Sequence, residues 1–140
     1  MAMGRVWPPL FAVLLMFMGH GVAHAQGARE VLEGAIFEGV LREVGAISGG
    51  DADRLIFRGG LFISEACKDY GFEEAAYTAS RQDDRILFEA TSVSPSHGRM
   101  VWHGVRQGDR LEAEVVWTKE RWYWDIRREY QFLGQLTTQR

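Results

Sequence analysis

From residue 54 onward the chain alternates apolar and polar residues in runs, and turn-forming clusters interrupt those runs every eight to twelve residues. A period of two puts alternate side chains on opposite faces of a strand, so each run carries one oily face that must be buried. Repeated at this spacing, the pattern predicts an all-β sandwich or barrel. The runs are Leu55–Arg58, Leu61–Ser64, Ala75–Arg81, Arg85–Val93, Arg99–Arg106, Arg110–Lys119 and Trp122–Leu133. Between them stand Gly59-Gly60, Gln82-Asp83-Asp84, Ser94–Gly98, Gly108-Asp109 and Glu120-Arg121. Links this short impose antiparallel neighbours, because a parallel crossover needs about a dozen residues or more.

Turn positions fix which residues face one another. A turn at Gly108-Asp109 sets Met100 opposite Trp117, Trp102 opposite Val115 and Gly104 opposite Ala113. A turn centred on Glu120-Arg121 sets Trp117 opposite Trp124, Val115 opposite Ile126, Ala113 opposite Arg128 and Leu111 opposite Tyr130. The apolar faces of three strands then coincide, whereas a slip of one residue would invert each of them. Three layers result: Met100 with Trp117 and Trp124, Trp102 with Val115 and Ile126, and Gly104 with Ala113 and Arg128. The third sets a fixed cation beside two very small side chains, which leaves room. Phe88 covers Gly104 if the Ser94–Gly98 loop has five residues. On the outer face His103 meets Glu114, and Glu114 meets Arg127; the opposition of Glu112 and Glu129 counts against this register.

Two local segments add detail. Ser64 is placed to cap a short helix, Glu65–Tyr70, with Gly71 as its left-handed C-terminal residue and Phe72 folding back on Cys67, which predicts a buried thiol. Residues 28–47 have two readings. Leu32, Ile36, Phe37, Val40, Leu41 and Val44 fit a helical stripe, but Gly34 and Gly39 inside that helix would cost about 1 kcal/mol each. A strand over about Ile36–Val44 is therefore preferred, and it brings the strand count to eight.

The residues that carry a family resemblance are Leu32-x-Gly34-x-x-Phe37, Asp53-x-Leu55-x-Phe57-x-x-Gly60-x-Phe62-x-Ser64-x-x-Cys67, Tyr70-Gly71-Phe72 with Tyr77, Ser94-Pro95, Gly98-x-x-Val101-Trp102-x-Gly104, Gly108-Asp109, and Trp117-Thr118-Lys119 with the aromatic end strand and Gly134. Over residues 32–134 the chain resembles the lipocalin-like (calycin) barrels, and within them a group of small exported bacterial proteins without assigned activity. True lipocalins open with Gly-x-Trp, where this chain has Gly34 and Phe37; the resemblance implies that Arg128 is the counterpart of their end-strand arginine. The resemblance implies an antiparallel up-and-down (meander) barrel of about eight strands, with one short helix near residues 65–70, able to enclose a small apolar molecule.

Residues 1–25 read as a secretory signal peptide: Arg5, then nine apolar residues from Leu10 to Met18, then Ala23-His24-Ala25 as a small-x-small cleavage site. Nine residues of helix reach only about 14 Å of the roughly 30 Å hydrocarbon core, so cleavage after Ala25 is favoured over a membrane anchor. The mature chain, residues 26–140, is then a single barrel domain, periplasmic or secreted, with no membrane span. It has 15 Lys+Arg, one fewer than the full chain, against 19 Asp+Glu, a net charge of −4. That balance argues against nucleic-acid binding. Cys67 is the sole cysteine, so no internal disulfide holds an exported chain of this kind together and burial must do so.

Catalytic patterns are missing from the sequence. The mature chain's two histidines, His97 and His103, lack the partners of a zinc site, and no Gly-x-Ser-x-Gly or phosphate-binding glycine loop is present. No cofactor is expected, and no enzyme activity. Two functions stay open. One is binding of a small apolar or amphiphilic acid near Arg128, with Trp102, Gly104, Ala113, Trp117, Trp124 and Tyr130 lining the space. The other is a solid-core barrel that meets a protein partner and holds no ligand, since small barrels are often filled by their own side chains.

Overall fold

The computed structural model describes residues 20–139. The expected leader lies outside the described residues apart from residues 20–25, which begin the first helix. In chain order the elements are α1 (His20–Leu32), β1 (Ala35–Glu43), β2 (Asp51–Arg58), β3 (Leu61–Ser64), α2 (Glu65–Lys68), β4 (Ala75–Gln82), β5 (Arg85–Ser94), β6 (Gly98–Gln107), β7 (Arg110–Lys119) and β8 (Ile126–Gln139). Each strand pairs antiparallel with the next and β8 returns to β1, closing an eight-stranded meander barrel. Closure removes sheet edges that would otherwise pair with other chains. Among the described residues no helix is long and apolar enough to cross a membrane.

The ambiguous segment contains both elements, helix up to Leu32 and strand from Ala35. Gly34 separates them with φ +79°, a conformation that ends a helix cheaply. The Gly59-Gly60 turn, both residues at positive φ, joins β2 to β3 as the alternation requires. Ser64 caps α2, its hydroxyl accepting from the Cys67 N–H. Gly71, at φ +81°, donates to the Lys68 carbonyl, and the Phe72 N–H donates to the Cys67 carbonyl at 3.3 Å, the paired bonds of a Schellman ending. Cys67 is buried as that reading expects.

The expected register holds from β5 to β7: Phe88 faces Gly104, and Met100, Trp102 and Gly104 face Trp117, Val115 and Ala113. It fails between β7 and β8. Trp117 faces Arg128, Val115 faces Tyr130, Ala113 faces Phe132 and Leu111 faces Gly134, so β8 is displaced by four residues from the expected pairing. The connection is residues 120–125, not the two-residue or four-residue turn centred on Glu120-Arg121 that the expected register needs. Four is an even number, so the inward face is unchanged while the occupants of each layer are replaced. Two physical gains accompany the shift. Glu112 now faces Leu133, which removes its opposition to Glu129, and Gly39 of β1 faces Gly134 of β8, where the two backbones approach too closely for a Cβ on Gly39.

The corrected layers are full. Phe132, fully buried, takes the place expected for Arg128 beside Ala113. A Cβ on Gly104 would overlap the Phe88 ring, so that glycine's missing side chain is the space Phe88 occupies. Phe57 is the hub of the interior, with ring centroids 4.9 Å from Phe88, 5.1 Å from Tyr77, 5.4 Å from Phe62 and 6.2 Å from Phe37. Such tilted and edge-on pairs add about 0.5–1.5 kcal/mol each beyond burial. The interior expected around Gly104 and Ala113 is therefore solid.

α1 closes one end of the barrel. Ala28 and Leu32 are completely buried there. The Glu33 carboxylate accepts from the backbone N–H groups of Gly59 and Gly60 and, at 2.9 Å, from the Tyr77 hydroxyl. Arg106 donates to the Val31 carbonyl at 2.7 Å and lies over the Phe37 ring. The other end, where α2 and the loops 44–50, 95–97 and 120–125 gather, is open.

Candidate functional site

The open end holds a cavity of about 200 Å³. Its apolar lining comes from Leu41 on β1, Cys67 on α2, Phe72 after α2, Met100 on β6, Trp117 on β7 and Tyr130 on β8. Asp51, Tyr70 and His97 add polar atoms to its lining. These residues meet because β3 is only four residues long: its chain leaves the barrel wall at Ser64 and α2 lays Cys67 across the opening. Asp53 secures this arrangement. It is buried, receives the Ser64 hydroxyl at 2.5 Å and the Ala66 N–H at 2.9 Å, and its carboxyl titrates above the ordinary aspartate value because burial outweighs those bonds.

Chemically the pocket is soft and apolar. The Cys67 thiol donates to the Met100 sulfur at 3.4 Å, and burial pushes its pKa up to about 11, so it is a thiol and a poor nucleophile at neutral pH. The Trp117 indole N–H donates to the His97 carbonyl at 2.6 Å, which fixes the ring as one wall. Burial, followed by the charge of Glu43, raises the Tyr130 phenol and keeps it neutral. Among the described residues Ser92 Oγ and Trp102 Nε1 are buried without a hydrogen-bond partner. Ser92 faces Met100 across the β5–β6 ladder, and Trp102 stands two residues beyond Met100 on the same inward face. A buried donor left unpaired costs about 1–3 kcal/mol.

Of the expected site residues, Trp117 and Tyr130 meet at this mouth. Arg128 is on the inward-facing row directly above Tyr130, at the rim, not in an interior layer. Its side chain is 53% exposed and pairs with Glu43 at 3.4 Å. Trp102 and Ala113 lie deep in the core with Gly104. Trp124 is 60% exposed on the loop between β7 and β8, away from Trp117. Leu41, Phe72 and Met100 complete a site the sequence only hinted at: the pairing of Met100 with Trp117 was legible, whereas the placing of Cys67 over them depends on how α2 crosses the opening. Outside the barrel His103 faces Glu114 as expected but lies 3.3 Å from Glu89, and Glu114 faces Gln131, not Arg127. No group of three or more metal-ligating side chains occurs among the described residues.

Comparison with protein families, with curated proteins and with solved structures found no match to this chain.

Proposed function

We propose that this protein is an exported binding barrel whose ligand is a small amphiphile with an acidic head, of the lipocalin-like type that the sequence resembles. The observation that carries the reading is the inward row Arg128–Tyr130 of β8 above an apolar pocket of about 200 Å³. An apolar tail entering beside Trp117 and Tyr130 reaches Cys67 and Met100, while its carboxylate or phosphate stays level with Arg128. The volume is below the roughly 300–1,000 Å³ of sites for drug-sized molecules, so the tail is short or only its end is buried. Each methylene it buries contributes about 0.8 kcal/mol. The Arg128–Glu43 pair is half exposed and long, worth at most about 1 kcal/mol, so an anionic head can replace Glu43 at little cost. Binding, not catalysis, is the activity assigned.

The test has two stages. Native mass spectrometry and solvent extraction of the purified protein look for a bound amphiphile. Titration with medium-chain carboxylic acids and the matching alcohols then compares wild type with Arg128→Leu. Loss of acid affinity by about tenfold or more with alcohol affinity retained supports the reading. Failure of every probe to bind, or equal acid binding by Arg128→Leu, refutes it. Export is checked separately, by whether the N-terminus recovered from cells begins at Gln26.

A second reading rests on a specific observation. Phe88 over Gly104 and Phe132 beside Ala113 leave the barrel centre filled, which fits a solid-core barrel that acts through a protein partner. Recovery of a ligand-free protein together with a specific cross-linked partner would favour it.

A further inference from the structure

The β7–β8 hairpin extends past its neighbour. β1 stops at Glu43 opposite Tyr130, whereas β8 continues back to Ile126 and β7 forward to Lys119. At the tip Trp122 is 93% exposed, with Tyr123 and Trp124 also exposed. The three rings form an edge-on ladder, with centroids 4.8 Å and 4.0 Å apart. The Arg121 guanidinium donates to the Tyr123 hydroxyl at 3.1 Å. Beside this hairpin the 44–50 loop, tied to it by the Val44 N–H on the Glu129 carbonyl, exposes Val44 and Ile47, the latter completely. Apolar side chains are thus collected at the open end of a barrel whose core has no shortage of space-filling aromatics.

From these observations we infer that the open end docks on the headgroup region of a phospholipid bilayer, with Trp122, Tyr123 and Trp124 inserted. The inference stands apart from the ligand reading and does not need a bound amphiphile. The shape and chemistry of the tip select lipid as the occupant. The exposed apolar surface, roughly 480 Å² on the three rings and roughly 750 Å² with Val44 and Ile47, is divided between two loops and not gathered on one continuous face that a protein partner could cover. The patch is a narrow protrusion, which penetrates a fluid surface without needing a complementary groove. Trp and Tyr are the side chains that favour the membrane–water boundary, because each has an apolar body and a polar atom. Charge is not the driving force: Lys119 and Arg121 are balanced by Glu120 and Asp125. Docking therefore extends to uncharged phosphatidylcholine surfaces and resists salt.

The experiment floats the full chain with phosphatidylcholine vesicles and compares three proteins: wild type, the triple variant Trp122→Ser/Tyr123→Ser/Trp124→Ser, and Leu133→Ser. The last removes an exposed apolar side chain from the barrel wall. All three carry the same N-terminus, so any contribution from residues 1–25 cancels. Thermal unfolding confirms that the variants are folded. The expected result is a bound-to-free ratio about tenfold lower for the triple variant, unchanged for Leu133→Ser and unchanged for wild type in high salt. Wild-type tryptophan emission shifts to the blue and is quenched by lipids brominated near the headgroup. Equal flotation of wild type and triple variant overturns the inference, as does wild type remaining unbound. Self-association that needs the three rings but no lipid would assign the tip to a second copy and overturn it equally. Because ligand titrations are run in solution, the triple variant should retain them, so the two readings fail independently.

Discussion

Replacing Phe88 with alanine probes the feature that decides whether the barrel is hollow. The ring is 1% exposed, packs 4.9 Å from Phe57 and 5.4 Å from Phe62, and covers Gly104. Phe→Ala at a site of this kind costs about 3–5 kcal/mol in lost transfer energy and residual cavity. For a domain of this size that lowers the melting temperature by roughly 10–20 °C. Gly104→Ala alone should also destabilise, by about 1–3 kcal/mol, because its methyl group meets the Phe88 ring. In the Phe88→Ala background the same methyl enters the space the ring left and should be neutral or stabilising. The two sites are thereby coupled by about 1–3 kcal/mol, with reversal of sign for the glycine substitution. Urea unfolding of the wild type, both single variants and the double variant measures this, provided the denaturant slope is constant across the set. A cost for Gly104→Ala that is the same in both backgrounds would show that Phe88 does not occupy the space above the glycine, and the solid interior would lose its main support.

Two further outcomes follow from the ends of the barrel. At the closed end, burial raises the Glu33 carboxyl, but the Tyr77 hydroxyl, the Gly60 and Gly59 N–H groups and Arg29 together lower it further, leaving it below its ordinary 4.5. Its contribution to stability is therefore complete above about pH 4.5 and is lost as pH falls through the folded value. Tyr77 is raised by burial and then by Glu33, from 10.0 to about 12, so its contribution is complete below pH 10 and is lost as pH rises through about 12. Stability-versus-pH curves should flatten on the acid limb in Glu33→Gln and on the alkaline limb in Tyr77→Phe; unchanged limbs would contradict the hydrogen bonds that Glu33 accepts from Tyr77 and the Gly59-Gly60 turn. At the open end, Trp117→Phe removes the bond to the His97 carbonyl and should cost about 0.5–1.5 kcal/mol in urea unfolding, with increased hydrogen exchange of the 95–97 loop.

Much of this molecule was legible residue by residue. Alternation in β5, β6 and β7 set which side chains face inward, the Gly108-Asp109 turn set their pairing, and Ser64 with Gly71 set both ends of α2. Each of these is a local interaction between residues a few positions apart, so the information lies within one stretch of chain. Arg128 and Trp124 show where that information stops. A strand pattern of period two is blind to a shift by an even number, so the alternation of β8 is satisfied equally with Arg128 opposite Ala113 and with Arg128 opposite Trp117. The choice is made far away in sequence, by closure of β8 on β1, where Gly134 meets Gly39 and Phe132 falls into the core. That non-local pairing moves Arg128 to the rim, puts Trp124 in solvent and fills the centre. The mouth pocket is tertiary for the same reason: the sequence specified a buried thiol at Cys67, but only the path of α2 across the open barrel brought it to Met100, Trp117 and Tyr130.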